Sequence, residues 1–174
     1  MRATTNLAIV AIALCAGCGA TVHSSLSPTA NVGQYRTFSF YRAPGSQGQP
    51  ESLADQEIRR AINDSLAAKG IVELNAAPAD FKVAYHVVLR RHVAMNDLGY
   101  GLGDFGPVDF TTYTEGTLVV DFIDPHTNKV FWRGTATQLV NDPNRVNTAR
   151  LDKAVAKLIN RYPYQVAART RPTL

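Results

Sequence analysis

The segment DFKVAYHVVLRRHV, residues 80–93, decides the fold. Phe81, Val83, Tyr85, Val87 and Leu89 alternate with Asp80, Lys82, Ala84, His86, Val88 and Arg90. Successive side chains of a strand point to opposite faces, so this period of two predicts a strand with one apolar and one mostly polar face. A sheet built around it needs cover on one side only. Downstream, Thr112 to Ile123 and Lys129 to Val140 read as the next two strands. The turn Asp124-Pro125-His126-Thr127-Asn128 joins them, with Pro125 fixing φ and Asn128 tolerating the left-handed region. Upstream, Thr37 to Tyr41 alternates, is rich in aromatics and reads as a first strand.

Two segments supply the cover. Ser52 to Lys69 places Ile58, Ala61, Ile62, Ser65 and Leu66 on one helical stripe. Ser52 and Asp55 form a capping box at its start, and Gly70 supplies the residue that ends it. Asn147 to Tyr162 repeats the period through Leu151, Ala154, Val155, Leu158, Ile159 and Tyr162; Asn147 or Thr148 caps it and Pro163 stops it. The order is β-α-β-β-β-α. The expected class is α+β, a two-layer sandwich with two helices packed on one face of a mainly antiparallel sheet. Its predicted core is Phe81, Val83, Tyr85, Leu118, Val120, Ile58, Ile62, Leu66, Leu151, Val155, Leu158 and Ile159.

With 174 residues, 45% of them hydrophobic, the chain is long enough for one ordinary domain and too short for two large ones. The formal charge of +4 is spread out rather than striped, which argues against a nucleic-acid partner. Its two cysteines, Cys15 and Cys18, stand in the first eighteen residues, MRATTNLAIVAIALCAGC. Arg2 precedes the apolar run Leu7 to Leu14, which as a helix rises only about 12 Å against roughly 30 Å of bilayer hydrocarbon. That is a signal-peptide core rather than a membrane span. Ala16-Gly17-Cys18 resembles a bacterial lipobox, which implies cleavage before Cys18 and acylation of its thiol; Cys15 stands where Leu is usual. Ordinary cleavage near Ala20 is the alternative. The expected organisation is a signal peptide over 1–17, a lipidated Cys18 with a flexible tether over 18–33, one domain over 34–163 and a disordered tail over 164–174. Gly19 in place of the inner-membrane retention Asp favours the outer membrane, facing the periplasm.

An ordered set of short motifs runs through the domain: Tyr35-x-Thr37-Phe38, Lys69-Gly70, Ala79-Asp80 leading into the long strand, and a glycine-aromatic loop. Then come Glu115-Gly116-Thr117-Leu118, Asp121, Asp124, Trp132-Arg133-Gly134 and Tyr162-Pro163. Over roughly residues 34–163 the set resembles the domain of unknown function 4136 family of bacterial envelope lipoproteins. The resemblance implies an envelope location and this fold. It carries no activity and no catalytic residues.

Gly101-Leu102-Gly103-Asp104-Phe105-Gly106 spells the dinucleotide glycine motif, but Pro107 and a Thr-rich strand follow where the phosphate-binding helix is required. The stretch Asn96 to Phe110 reads instead as a long loop, and its Tyr100, Phe105 and Phe110 are the first candidates for partner contact. Trp132 is a packed aromatic or a further contact residue. His86 and His92 share a face about 20 Å apart, too far for one metal. Glu115 and Asp121 also share a face, too far apart for a glycosidase pair. Arg133 is expected to pair with an acid on the neighbouring strand. No cofactor, metal or catalytic set is expected, and the chain reads as non-enzymatic. Its partners are the membrane, through the lipid anchor, and an envelope protein or glycan. Two functions compete: a binding or structural module, and a small-molecule or lipid carrier using an apolar gap between helices and sheet. An apolar cavity of at least ~300 Å³ favours the carrier, and a filled core favours the module.

Overall fold

The computed structural model of the chain describes residues 19–28, 30, 32–41, 51–75, 78–96, 109–142 and 145–164. Six strands and two α-helices follow one another: β1 (Thr21–Leu26), β2 (Thr37–Phe40), α1 (Leu53–Ala67), β3 (Val72–Glu73), β4 (Phe81–Asn96), β5 (Asp109–Ile123), β6 (Val130–Val140) and α2 (Thr148–Ile159). A 3-10 turn at Val32–Gln34 separates β1 from β2. The protein is α+β, with one sheet in the order β1-β6-β5-β4-β2-β3.

Local chemistry places the elements where the sequence puts them. The Ser52 hydroxyl accepts the Asp55 N–H at 3.1 Å and the Asp55 carboxylate accepts the Ser52 N–H at 3.4 Å, so α1 opens on a complete capping box. It closes through Gly70 at φ 77° and the Ile71 N–H bonded to the Leu66 carbonyl at 3.1 Å. The Asn147 side chain accepts the Arg150 N–H at 3.0 Å to start α2. In the β5–β6 turn the Asp124 carboxylate accepts the His126 and Thr127 N–H groups, and Asn128 takes φ 53°.

The element order differs from the expected one in two places. Thr21–Leu26, within the segment expected to be a tether, is an edge strand antiparallel to β6, from Thr21 opposite Thr137 to Leu26 opposite Trp132. Its Ser/Thr-rich composition matches a linker because an edge strand needs apolar residues on one face only. Val22 packs against the core, and the open edge of β6 supplies the rest. The second addition is β3, only two residues long and parallel to β2. Because α1 is a crossover between β2 and β4, those two strands are also parallel. The sheet is therefore mixed, with three antiparallel and two parallel ladders.

Phe38, Phe81, Val83, Val120, Phe122 and Trp132 bury the inner sheet face against Ile62, Leu66, Val155, Leu158 and Ile159 of the helices. Of the predicted core residues, Tyr85 and Leu151 are half-buried at its margin and the other ten are buried. At the other end of the chain Tyr164, assigned from sequence to a frayed tail, is buried and stacks on Tyr162 at 6.2 Å. Gly134 fits because nothing else would: a Cβ there would lie 2.5 Å from Trp132 Cη2 and 2.7 Å from Leu158 Cδ1. Gly134→Ala should therefore lower stability by about 1–3 kcal/mol in chemical denaturation, since neither buried neighbour has room to retreat.

Asp80 ties β2 to the start of β4. Its Oδ2 accepts the Arg36 N–H at 2.7 Å, the Thr37 N–H at 2.8 Å and the Thr37 hydroxyl at 2.9 Å. Burial pushes this carboxyl up, but the three hydrogen bonds outweigh it and hold it below the ordinary carboxylate value. A carboxyl depressed in the folded state contributes stability above its unfolded pKa of about 4, and loses it as pH falls through the folded value. Asp80 is exposed and partly screened by water, so Asp80→Ala should cost about 1 kcal/mol at neutral pH and make stability fall less steeply below pH 4, as read from urea midpoints against pH.

Candidate functional site

The strands of the long hairpin are too long for the helices that cover them. The 16 residues of β4 and 15 of β5 extend about 50 Å at ~3.3 Å per residue. The 15 residues of α1 and 12 of α2 rise only about 22 and 18 Å. On the inner face, cover therefore fails just past Tyr85: Val87 is 47% exposed and Leu89 50% exposed, although both share the parity of the fully buried Phe81 and Val83.

An open cleft of about 900 Å³ occupies the uncovered stretch. Its floor is Val87, Leu89, Gly116, Leu118, Ala136 and Val140. The first turns of α1 and α2 form one wall, through Ala54, Asp55 and Ile58 and through Arg150 and Leu151, and residues Asn141, Asp142, Arg145 and Val146 form part of the rim. Gly116 sits opposite Leu89 in the ladder, and a Cβ on it would meet Val140 Cγ2 at 2.7 Å and Leu89 Cδ2 at 3.4 Å. Bare backbone at this point leaves both apolar side chains their place on the floor.

Apart from Gln138, which lies between Ala136 and Val140 on β6, the polar groups stand on the wall and rim. The Tyr85 hydroxyl lies 3.4 Å from both the carbonyl and a carboxylate oxygen of Asp55. Burial, then the negative charge of Asp55, pushes the Tyr85 phenol up to about 12, so it remains a neutral donor at physiological pH. Asp55 itself is committed to the cap of α1, and Asp142 also has a bonding partner. Arg145 and Arg150 are exposed, and among the described residues neither guanidinium makes an ion pair. The first turn of α2 carries no acidic residue. Chemically this is a surface that can hold an apolar chain.

The residues singled out from sequence fall elsewhere. Cys18, Tyr100 and Phe105 lie outside the described residues. Phe110 belongs to β5, opposite Met95, so the strands take up both ends of the expected loop. Trp132 is 1% exposed and packed on Phe122 with ring centroids 4.4 Å apart. It is a core residue and offers no contact surface. Arg133 does pair across the ladder, its Nε and Nη2 donating to the two Asp121 oxygens at 2.6 and 2.7 Å. His92 stacks on Tyr113 at 5.0 Å. Arg59 and Arg60 on α1 are taken up in ion pairs with Glu51, Glu57, Asp64 and Asp152. Sequence reasoning missed the cleft because it assigned Val87 and Leu89 to the buried face. The mismatch between a fourteen-residue strand and its shorter helical cover was the available signal.

The chain is similar to several solved structures at low sequence identity. A PDZ domain protein from Parabacteroides distasonis is 12% identical with a TM-score of 0.50, over 86% of this chain and 37% of that one. A PelC dodecamer from Paraburkholderia phytofirmans is 16% identical with a TM-score of 0.43, over 79% of this chain and 93% of that one. A minor lipoprotein from Acinetobacter baumannii is 14% identical with a TM-score of 0.36, over 72% of this chain and 87% of that one. No curated protein matches the sequence. The family described as domain of unknown function 4136 matches residues 22–164, a span that opens inside β1 and closes on the buried Tyr164, and the chain belongs to that family.

Proposed function

We propose that the protein is a non-enzymatic lipoprotein of the bacterial envelope whose domain binds an apolar chain in the cleft beside its anchor. The observation that carries the binding role is the cleft itself, about 900 Å³ with half-exposed Val87 and Leu89 on its floor. Its volume falls in the range of small-molecule sites, roughly 300–1,000 Å³, and exceeds what favours a carrier over a surface module. Apolar side chains left wet on a concave surface gain by covering it, at roughly 25 cal/mol per Å².

The anchor supports the same role. The signal-like segment and Ala16-Gly17-Cys18 point to acylation at Cys18, and Gly19 favours the outer membrane. Ala20 is buried, its carbonyl accepts the Lys157 ammonium at 2.7 Å, and Thr21 is already paired with Thr137. Two residues of extended chain span at most about 7 Å, so an acylated Cys18 would hold the start of β1 close to the bilayer. Ala136 and Gln138, flanking Thr137 on β6, both line the cleft. Anchor and cleft thus belong to the same end of β6, and the domain would work on chains taken from the adjacent membrane.

Cys18→Ala should move the protein from the membrane to the soluble envelope fraction or leave its precursor uncleaved. Metabolic labelling with a fatty acid should mark the wild type and spare the variant; an unlabelled wild type would remove the anchor. For the cleft, a neutral apolar dye, phenylnaphthylamine, should brighten saturably on titration into the purified protein. No enhancement up to its solubility limit would remove the binding role.

A further inference from the structure

We infer that the cleft selects a single-chain amphiphile with an anionic head, its tail on the Val87–Leu89 floor and its head at Arg145 and Arg150; this rests on the apolar-chain role proposed above. Three observations at the rim agree in sign. First, both guanidiniums are exposed beside the cleft and make no ion pair among the described residues. Second, the two acids at the rim are already engaged, Asp55 in the α1 cap and Asp142 with a partner of its own. Third, both helices turn their first turns towards the cleft, and the two differ. α1 has Asp55 against its positive end, but α2 has no acid there and adds Arg150.

A cation at the positive end of a helix is disfavoured by the macrodipole, so the α2 start, capped by the neutral Asn147 amide, carries positive potential that no acid of its first turn answers. An anion placed there gains from the dipole and from two guanidiniums whose fork geometry suits carboxylate or phosphate oxygens. The floor is mainly apolar and two exposed guanidiniums stand together at one edge of it, and that is the polarity of an anionic amphiphile lying with its head against Arg145 and Arg150. The concave shape takes one molecule at a time rather than a flat bilayer surface.

The test titrates dodecanoate, dodecyl phosphate and dodecanol, each below its micelle concentration, into the purified protein at neutral pH and low salt. Dodecanol carries the same tail without charge. We expect either anionic ligand to bind about tenfold more tightly than dodecanol, from two partly exposed charge contacts and a helix end. That preference should shrink with added salt. Arg145→Gln with Arg150→Gln should abolish the preference by weakening both anionic ligands to the affinity of dodecanol, with the thermal midpoint unchanged. Equal affinities in the wild type would overturn the anionic preference and leave the apolar-chain role standing. Absence of binding by all three would overturn that role as well. Binding to anionic vesicles with none to monomeric amphiphile would replace the single-chain site by a membrane-contact surface. A preference that persists undiminished in the double variant would place the anion site elsewhere.

Discussion

Trp132→Ala should destabilise the domain by about 3–5 kcal/mol, the largest single loss expected from a side-chain truncation here. Trp132 is 1% exposed and its ring meets Phe122 at 4.4 Å and Tyr162 at 5.6 Å. It also overhangs Gly134, beside which Leu158 of α2 packs. Truncation would empty a space bounded by the aromatic rings of Phe122 on β5 and Tyr162 after α2. These cannot close in together without shifting the helix, so most of the cavity would persist. Domains of this size have total stabilities of roughly 5–15 kcal/mol, so the loss is a large part of the whole. A urea midpoint that barely moved, with the fold intact, would mean that the indole is a surface group after all.

Leu89→Asp should reduce phenylnaphthylamine binding by more than about tenfold while costing about 1 kcal/mol of stability, because Leu89 is half-exposed and already partly solvated. A carboxylate in the middle of the floor would have to be stripped of water under a bound apolar chain, at a cost of several kcal/mol. Aspartate is short and, unlike lysine, cannot carry its charge out to the rim. Val88→Asp is the matched control. Val88 is the preceding residue of β4, 36% exposed, and faces the other side of the sheet. It should leave dye binding intact. Equal losses from both substitutions would show that a general loosening of the hairpin, rather than the cleft, is being read.

Most of the fold was legible because its decisive signals are local. The alternation through Phe81 to Leu89, the capping box at Ser52 and Asp55, Gly70 at φ 77° and Asn128 at φ 53° each answer to chemistry within a few residues. What the sequence concealed depends on distant partners. β1 is a strand only because β6 has an open edge, and nothing in TVHSSL distinguishes it from a tether. The parallel pairing of β2 with β4 follows from the crossover through α1. The cleft was concealed for a related reason. Periodicity assigns Val87 and Leu89 to the inner face correctly, but it does not say how far along the strand the helices reach. Trp132 was ambiguous from sequence because an isolated aromatic on a strand reads the same whether packed or exposed; its neighbours Phe122, Gly134 and Tyr162 decide it.

Methyl-resolved nuclear magnetic resonance during a dodecanoate titration would locate the ligand directly. Saturable shifts should appear at Val87, Leu89, Leu118 and Val140, which share the cleft floor. Val88 is also exposed but faces the other side of the sheet, and its methyls should stay where they are. A shift confined to Val88, or none at ligand concentrations approaching the micelle threshold, would show that the uncovered stretch of the inner face is not a binding site.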